Sequence, residues 1–201
     1  MSSDSPGNAL SEQVTEKLDK VFTNINYWLV FAEAKNASLL ALNGAGIYGL
    51  VGLLKNSDYN GGHYLTLYLW MVVVFLSVGL VIPLLSFSPV VNIFNSKKKL
   101  LSQNKENLNL LFFGDLVKYD CSKEYVVDFY KHYFDVKILE NEVSKIHLDY
   151  ADEILINSRI AVKKYALFKY ALLMDLSAFL SPVIVGLGCL CYKVIKKINH
   201  S

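Results

Sequence analysis

Charge is missing from three long stretches of this chain. Asn36 to Leu54, Tyr64 to Ser96 and Tyr170 to Tyr192 contain one ionisable carboxylate, Asp175, and no Lys or Arg. Other absences narrow the class. An excess of either sign is lacking, 20 basic against 18 acidic residues for a net charge of +2, so the balance gives no reason to invoke nucleic acid as a partner. Cysteine is scarce and odd in number, and two of the three, Cys189 and Cys191, lie inside the last apolar window, which excludes a disulfide framework. Two residues apart on a helix, those thiols point roughly 200° from each other and cannot chelate one ion from the same face. No metal site and no cofactor are expected. A basic leader is absent as well: Asp4, Glu12, Glu16 and Asp19 precede the first apolar window, which reads as an anchor and not as a cleaved signal.

The windows themselves say membrane. A helix rises about 1.5 Å per residue and the hydrocarbon layer is roughly 30 Å thick, so a span needs on the order of 20 apolar residues. Lipid offers no partner for exposed backbone N–H and C=O groups, which makes helix the required conformation. In the first window Gly44, Gly46, Gly49 and Gly52 favour close helix packing, and Asn43 is a polar position near its centre. The second is rich in Leu and Val, with Tyr64, Tyr68 and Trp70 near its start and Pro83 and Pro89 at its exit. Asp175 is the polar residue of the third.

An all-α fold follows, a multi-pass helical membrane protein with a helical cytoplasmic domain. Residues 1–35 read as a loose tail to Leu10 and an amphipathic helix capped by Ser11, with Val14, Leu18, Phe22, Ile25, Leu29 and Ala32 on one face. That face is expected to pack on another helix of the same chain. Residues 36–96 form a two-span hairpin turned by Lys55 to His63. Residues 97–169, with almost no Gly or Pro, read as the water-facing domain, its helical spacing running through Leu108, Leu111, Phe112 and Leu116 with breaks near Gly114 and Cys121. No break separates Glu142 from Tyr192. The last soluble helix is expected to run into the third span, 170–192, as one helix of roughly 75 Å, before a tail at 193–201. Lys97, Lys98, Lys99, Arg159, Lys163, Lys164 and Lys169 place the large domain in the cytoplasm. Lys193, Lys196 and Lys197 oppose three full spans, and a re-entrant third segment is the alternative.

Three segments carry a family likeness. Ala32-Glu33-Ala34-Lys35 with Ser38-Leu39-Leu40-Ala41-Leu42-Asn43-Gly44, then Asn109-Leu110-Leu111-Phe112-Phe113-Gly114-Asp115, then Ile154 through Tyr165 resemble, in order and separation, the recurring segments of the PycTM family of Pycsar membrane effectors in bacterial anti-phage defence. An Asp is more usual there than Glu33. The resemblance implies a two-gene system in which a pyrimidine cyclase makes cCMP or cUMP on infection. The effector then impairs the bacterial inner membrane and the infected cell dies, an abortive infection.

A cyclic mononucleotide presents one phosphodiester charge and a flat base, so its receptor wants a cationic or amide donor and an aromatic or amide edge. Asn157 and Lys164 share a helix face with Ile154 and Ala161 and point inward, whereas Arg159 and Lys163 point elsewhere and suit lipid headgroups. Phe112 and Phe113 are candidates to stack a base. Asn43 and Asp175 are expected to bond to each other or to line a watery path in a homo-oligomer. Catalysis is not expected: His147, Asp149, Asp152 and Glu153 are the one dense acid-base cluster, and no H-E-x-x-H, nucleophile elbow or phosphate-cradling glycine loop accompanies them. The competing readings are a nucleotide-independent membrane scaffold or small channel and, more remotely, a membrane-tethered hydrolase.

Overall fold

The computed structural model describes residues 6–88 and 108–198, with side chains described for 7–88 and 108–181. Five helices follow in order: α1 (Pro6–Lys55), α2 (His63–Ser86), α3 (Phe113–Leu116), α4 (Ser122–Phe134) and α5 (Lys145–Ile198). No strand occurs among the described residues.

α1 starts a turn before Ser11. Pro6 opens it, because a first-turn residue has no intrahelical use for the N–H that proline lacks and its fixed φ already suits a helix. The tail expected to Leu10 is therefore helical from Pro6. Ser11 serves as an acceptor, its carbonyl taking the Thr15 hydroxyl at 2.9 Å. The helix expected around Leu108 to Leu116 shrinks to α3. There the Asn109 side chain accepts the Leu111 N–H at 2.9 Å and Asp115 accepts the Asn109 N–H at 3.2 Å, so local side-chain bonds replace helical ones. Gly114 lets the Phe112 ring lie close over α3, where an added Cβ would push that exposed ring aside. α4 stops at Asp135, which takes the left-handed conformation (φ 54°) that Asp tolerates, while Val136 N–H bonds back to Tyr130 O.

The chain divides into two compact units. Residues 1–33 and 89–165 make unit 1; 34–88 and 166–201 make unit 2. α1 and α5 supply residues to both. In unit 1, Val14, Leu18, Val21 and Ile25 of α1 bury against Tyr125, Val126 and Phe129 of α4 and Ala151, Ile154 and Leu155 of α5. Each buried Val, Leu, Ile or Phe of this set contributes about 1.5–3 kcal/mol by leaving water. Phe22, placed on this face by its spacing, is only half-buried, and Val21 takes the central position.

Within unit 1, α1 and α5 run parallel and in strict register. Tyr150 donates to Asp19 at 3.3 Å, Asn157 to Asn26 at 2.8 Å and Lys164 to Glu33 at 2.5 Å, and each pair is 131 residues apart. The three α1 partners recur every seventh residue, the period at which two helices keep one seam facing the other. Small residues on that seam, Ala151, Ser158 and Ala161, are fully buried.

Unit 2 holds the apolar helices. α1 and α2 are long and apolar enough to cross a membrane, and only 11% and 22% of their apolar windows are buried inside the chain, the reverse of a soluble core helix. Val72, Leu76 and Ala178 form its packed centre with Ile47, Leu50, Tyr68 and Phe75 around it. Gly46 admits Leu76, whose Cδ1 would lie 3.1 Å from an added Cβ. Pro83, expected at the exit of the second span, lies inside α2, which continues to Ser86. α5 is unbroken to Ile198. The side chains of the third window from 182 to 192, the second window beyond Ser88, Lys97 to Lys99, the first five residues, and the side chains of Lys193, Lys196 and Lys197 lie outside the described residues.

Candidate functional site

Asn157 and Lys164 point inward, as their helix face demands, and each meets a polar group of α1. The Asn157 amide reaches Asn26, and the Lys164 ammonium, with its side chain 12% exposed, reaches Glu33. The Glu33 side chain is 45% exposed, so the ion pair has one sheltered and one half-open partner. Phe113 stacks on Tyr165 with ring centroids 5.4 Å apart and an interplanar angle of 15°, and its other neighbours are Trp28 at 5.9 Å and Phe112 at 4.7 Å. Phe112 itself is exposed. The sequence-derived residues thus gather on the α1–α5 seam and on the aromatic group beside it. Arg159 donates to the Tyr119 carbonyl at 2.8 Å, a contact within unit 1 that its helix spacing did not indicate.

A second place in unit 1 was hidden from sequence spacing. Lys17, Lys20, Val21 and Asn24 of α1, Phe129 and Tyr133 of α4 and Leu111 line a cavity of about 310 Å³. α1 presents 17, 20, 21 and 24 on one face because they are three and four residues apart. The Lys17 ammonium lies over two rings, 5.2 Å from the centre of Tyr133 and 4.6 Å from that of Phe134. Lys20 is tied to Glu16 at 2.6 Å on the exposed rim, and this pairing lowers the Glu16 carboxyl from its ordinary value. In sequence these lysines resemble the solvated side of an amphipathic helix, and the aromatic wall opposite them comes from residues more than a hundred positions away.

His147 is fully buried, unlike its neighbours Asp149, Asp152 and Glu153, which are exposed as a solvated face. Its Nε2 lies 3.2 Å from the Ser11 carbonyl and 3.0 Å from the Thr15 hydroxyl, and its Nδ1 is 3.1 Å from the Tyr130 hydroxyl. A carbonyl only accepts, so Nε2 carries the proton and Nδ1 accepts from Tyr130. Burial holds this imidazole below its ordinary pKa, with the Ser11 bond opposing. It ties α1, α4 and α5 together and is no part of an acid-base cluster. Among the described residues no three His, Cys, Asp or Glu side chains are placed to hold a metal ion.

In unit 2, Asn43 and Asp175 are both buried and face each other beside Gly79. A Cβ on Gly79 would collide with the Asp175 carboxylate and crowd the Asn43 amide. The two side chains expected to bond to each other thus stand together, a buried amide beside a buried carboxyl in an apolar helix bundle.

No curated protein and no solved structure matches the chain. The family model described as the Pycsar effector protein domain, PycTM, matches residues 17–191, a span that begins at the cavity lysine on α1, takes in both apolar helices of unit 2 and ends within α5. The chain belongs to the PycTM family of Pycsar effectors, and its setting is therefore anti-phage defence.

Proposed function

We propose that the protein is a cyclic-nucleotide-responsive membrane effector: it senses cCMP or cUMP made by a partner pyrimidine cyclase and impairs the inner membrane, so that the infected cell dies before the phage spreads. The observation that carries this reading is the family match across residues 17–191, which joins unit 1 and the apolar helices in one domain. The effect is non-catalytic. Three spans suit the parallel course of α1 and α5: α1 leaves the cytoplasm, α2 returns and α5 leaves again, so residues 1–33 and 89–165, the two parts of unit 1, lie on the same side. Arg159, Lys163, Lys164 and Lys169 make that side the cytoplasmic one.

In this reading Asn157 and Lys164 hold α5 on α1 through their bonds to Asn26 and Glu33. Phe112 and Phe113 brace that seam. The bilayer damage is done by a homo-oligomer. Gly49 and Gly52 have nothing within 4 Å of an added Cβ, which leaves a smooth helix face for a second copy. A nucleotide-independent small channel is favoured by one feature, the Asn43 and Asp175 pair in unit 2. The test is co-expression with an active or a catalytically dead pyrimidine cyclase while membrane potential is followed with a voltage-sensitive dye. Depolarisation with the active cyclase alone supports the effector reading; equal depolarisation with both supports the channel, and intact potential with verified cyclic nucleotide sinks both.

A further inference from the structure

The cavity between α1 and α4 has a size, a charge and a chemistry that agree with one ligand class. Its volume of about 310 Å³ stands at the lower end of the roughly 300–1,000 Å³ range of small-molecule clefts. A mononucleotide is of a size for that space. Among the described residues no carboxylate lies within ion-pair distance of Lys17, whose ammonium rests on the Tyr133 and Phe134 rings. That exposed ammonium is open to a single phosphodiester oxygen. Of the remaining walls, Val21, Leu111, Phe129 and Tyr133 are largely apolar, and the second lysine of the lining, Lys20, is paired with Glu16.

The aromatic side meets the base. Phe129 and Tyr133 are neighbours on α4, their ring centroids 4.8 Å apart and their planes at 60°, and Tyr133 is the more exposed of the two. A pyrimidine stacks on such a face without needing a sequence of hydrogen bonds. Asn24, one helical turn beyond Lys20, carries both a donor and an acceptor for the base edge. We propose that this cavity is where the cyclic pyrimidine mononucleotide binds, with Lys17 on the phosphodiester, Tyr133 under the base and Asn24 at its edge. The placement deepens the nucleotide-responsive reading and rests on it. It also separates recognition from the Asn157 and Lys164 pairs: the ligand sits on the same α1 that carries Asn26 and Glu33, so drawing α1 toward α4 acts directly on that seam.

The experiment is calorimetric titration of the full chain, in detergent micelles, with cCMP, cUMP, cAMP and non-cyclic CMP. The variants are Lys17→Met, Lys17→Arg, Tyr133→Leu and Lys131→Met, the last an exposed lysine on α4 outside the cavity. A charge-assisted contact predicts a roughly 10- to 100-fold loss of cyclic pyrimidine affinity for Lys17→Met, with Lys17→Arg retaining most of it and Lys131→Met unchanged. Tyr133→Leu weakens binding to a similar degree. Lys17 is exposed, so Lys17→Met keeps the fold and decides the matter if Tyr133→Leu does not fold. Wild-type binding that Lys17→Met and Tyr133→Leu leave intact overturns the placement and leaves the functional reading standing. Wild-type protein that binds none of these nucleotides overturns the functional reading itself, and the placement with it.

Discussion

Reversing the charges of Lys164 and Glu33 probes the parallel register of α1 and α5 more sharply than deleting them. The pair is 2.5 Å apart, with the Lys164 side chain 12% and the Glu33 side chain 45% exposed. Glu33→Lys brings two ammonium groups together where one of them cannot turn fully to water. Unit charges about 4 Å apart interact by roughly 4 kcal/mol at an effective dielectric constant near 20. Glu33 is nearly half exposed, so a lysine there can swing outward and solvent screens the repulsion; a net loss of about 1–3 kcal/mol is the result. For a chain of this size each kcal/mol lowers the midpoint by roughly 2–4 °C. Glu33→Lys and Lys164→Glu are each expected to lower the thermal midpoint, followed by circular dichroism in detergent, and the double reversal to recover most of the loss. Single variants with an unchanged midpoint, or a double variant no better than either single, refute the 131-residue register.

Three further outcomes follow from buried polar groups. His147 is held neutral by burial, below its unfolded value near 6.5. The unfolded chain therefore takes up the proton first. Stability is full above that value and falls as pH drops below it, with a slope approaching about 1.4 kcal/mol per pH unit, until the lowered folded value is passed; denaturation at pH 7.5, 6.5 and 5.5 should show the loss, and a pH-independent midpoint refutes it. Gly79→Ala is expected to cost about 1–3 kcal/mol by overpacking, and Asp175→Ala in the same chain should restore most of it, as read by the unfolding midpoint in detergent. Arg159→Met removes a charged donor from the Tyr119 carbonyl and should cost roughly 1.5–3 kcal/mol, with an exposed lysine such as Lys163→Met near zero as the control.

Local pattern was enough where a residue's role depends on its own helix. The face of Val14, Leu18 and Ile25, the unbroken course of α5 and the inward direction of Asn157 and Lys164 all follow from spacings of three, four and seven. Asn43 and Asp175 were also legible, because an amide or a carboxyl well inside an apolar helix needs a neighbour. What faces an element from far away in sequence was not. His147 sits among three acidic residues that are solvated, so its burial depended on Tyr130 and Ser11, which no local pattern brings near. Lys17 looked like a solvated lysine because Tyr133 and Phe134 reach it only through the fold. The Leu108 to Leu116 stretch kept helical spacing, yet Asn109 and Asp115 offered the backbone side-chain bonds that a helix count ignores.

The most direct measurement is made with the purified protein in sealed vesicles of inner-membrane phospholipid carrying a potassium gradient. Addition of cCMP or cUMP to the face that holds unit 1 is predicted to collapse the gradient, while cAMP at the same concentration leaves it intact and Lys17→Met shifts the response to higher nucleotide. A gradient that persists at saturating cCMP and cUMP, in vesicles shown to contain folded protein, contradicts the account.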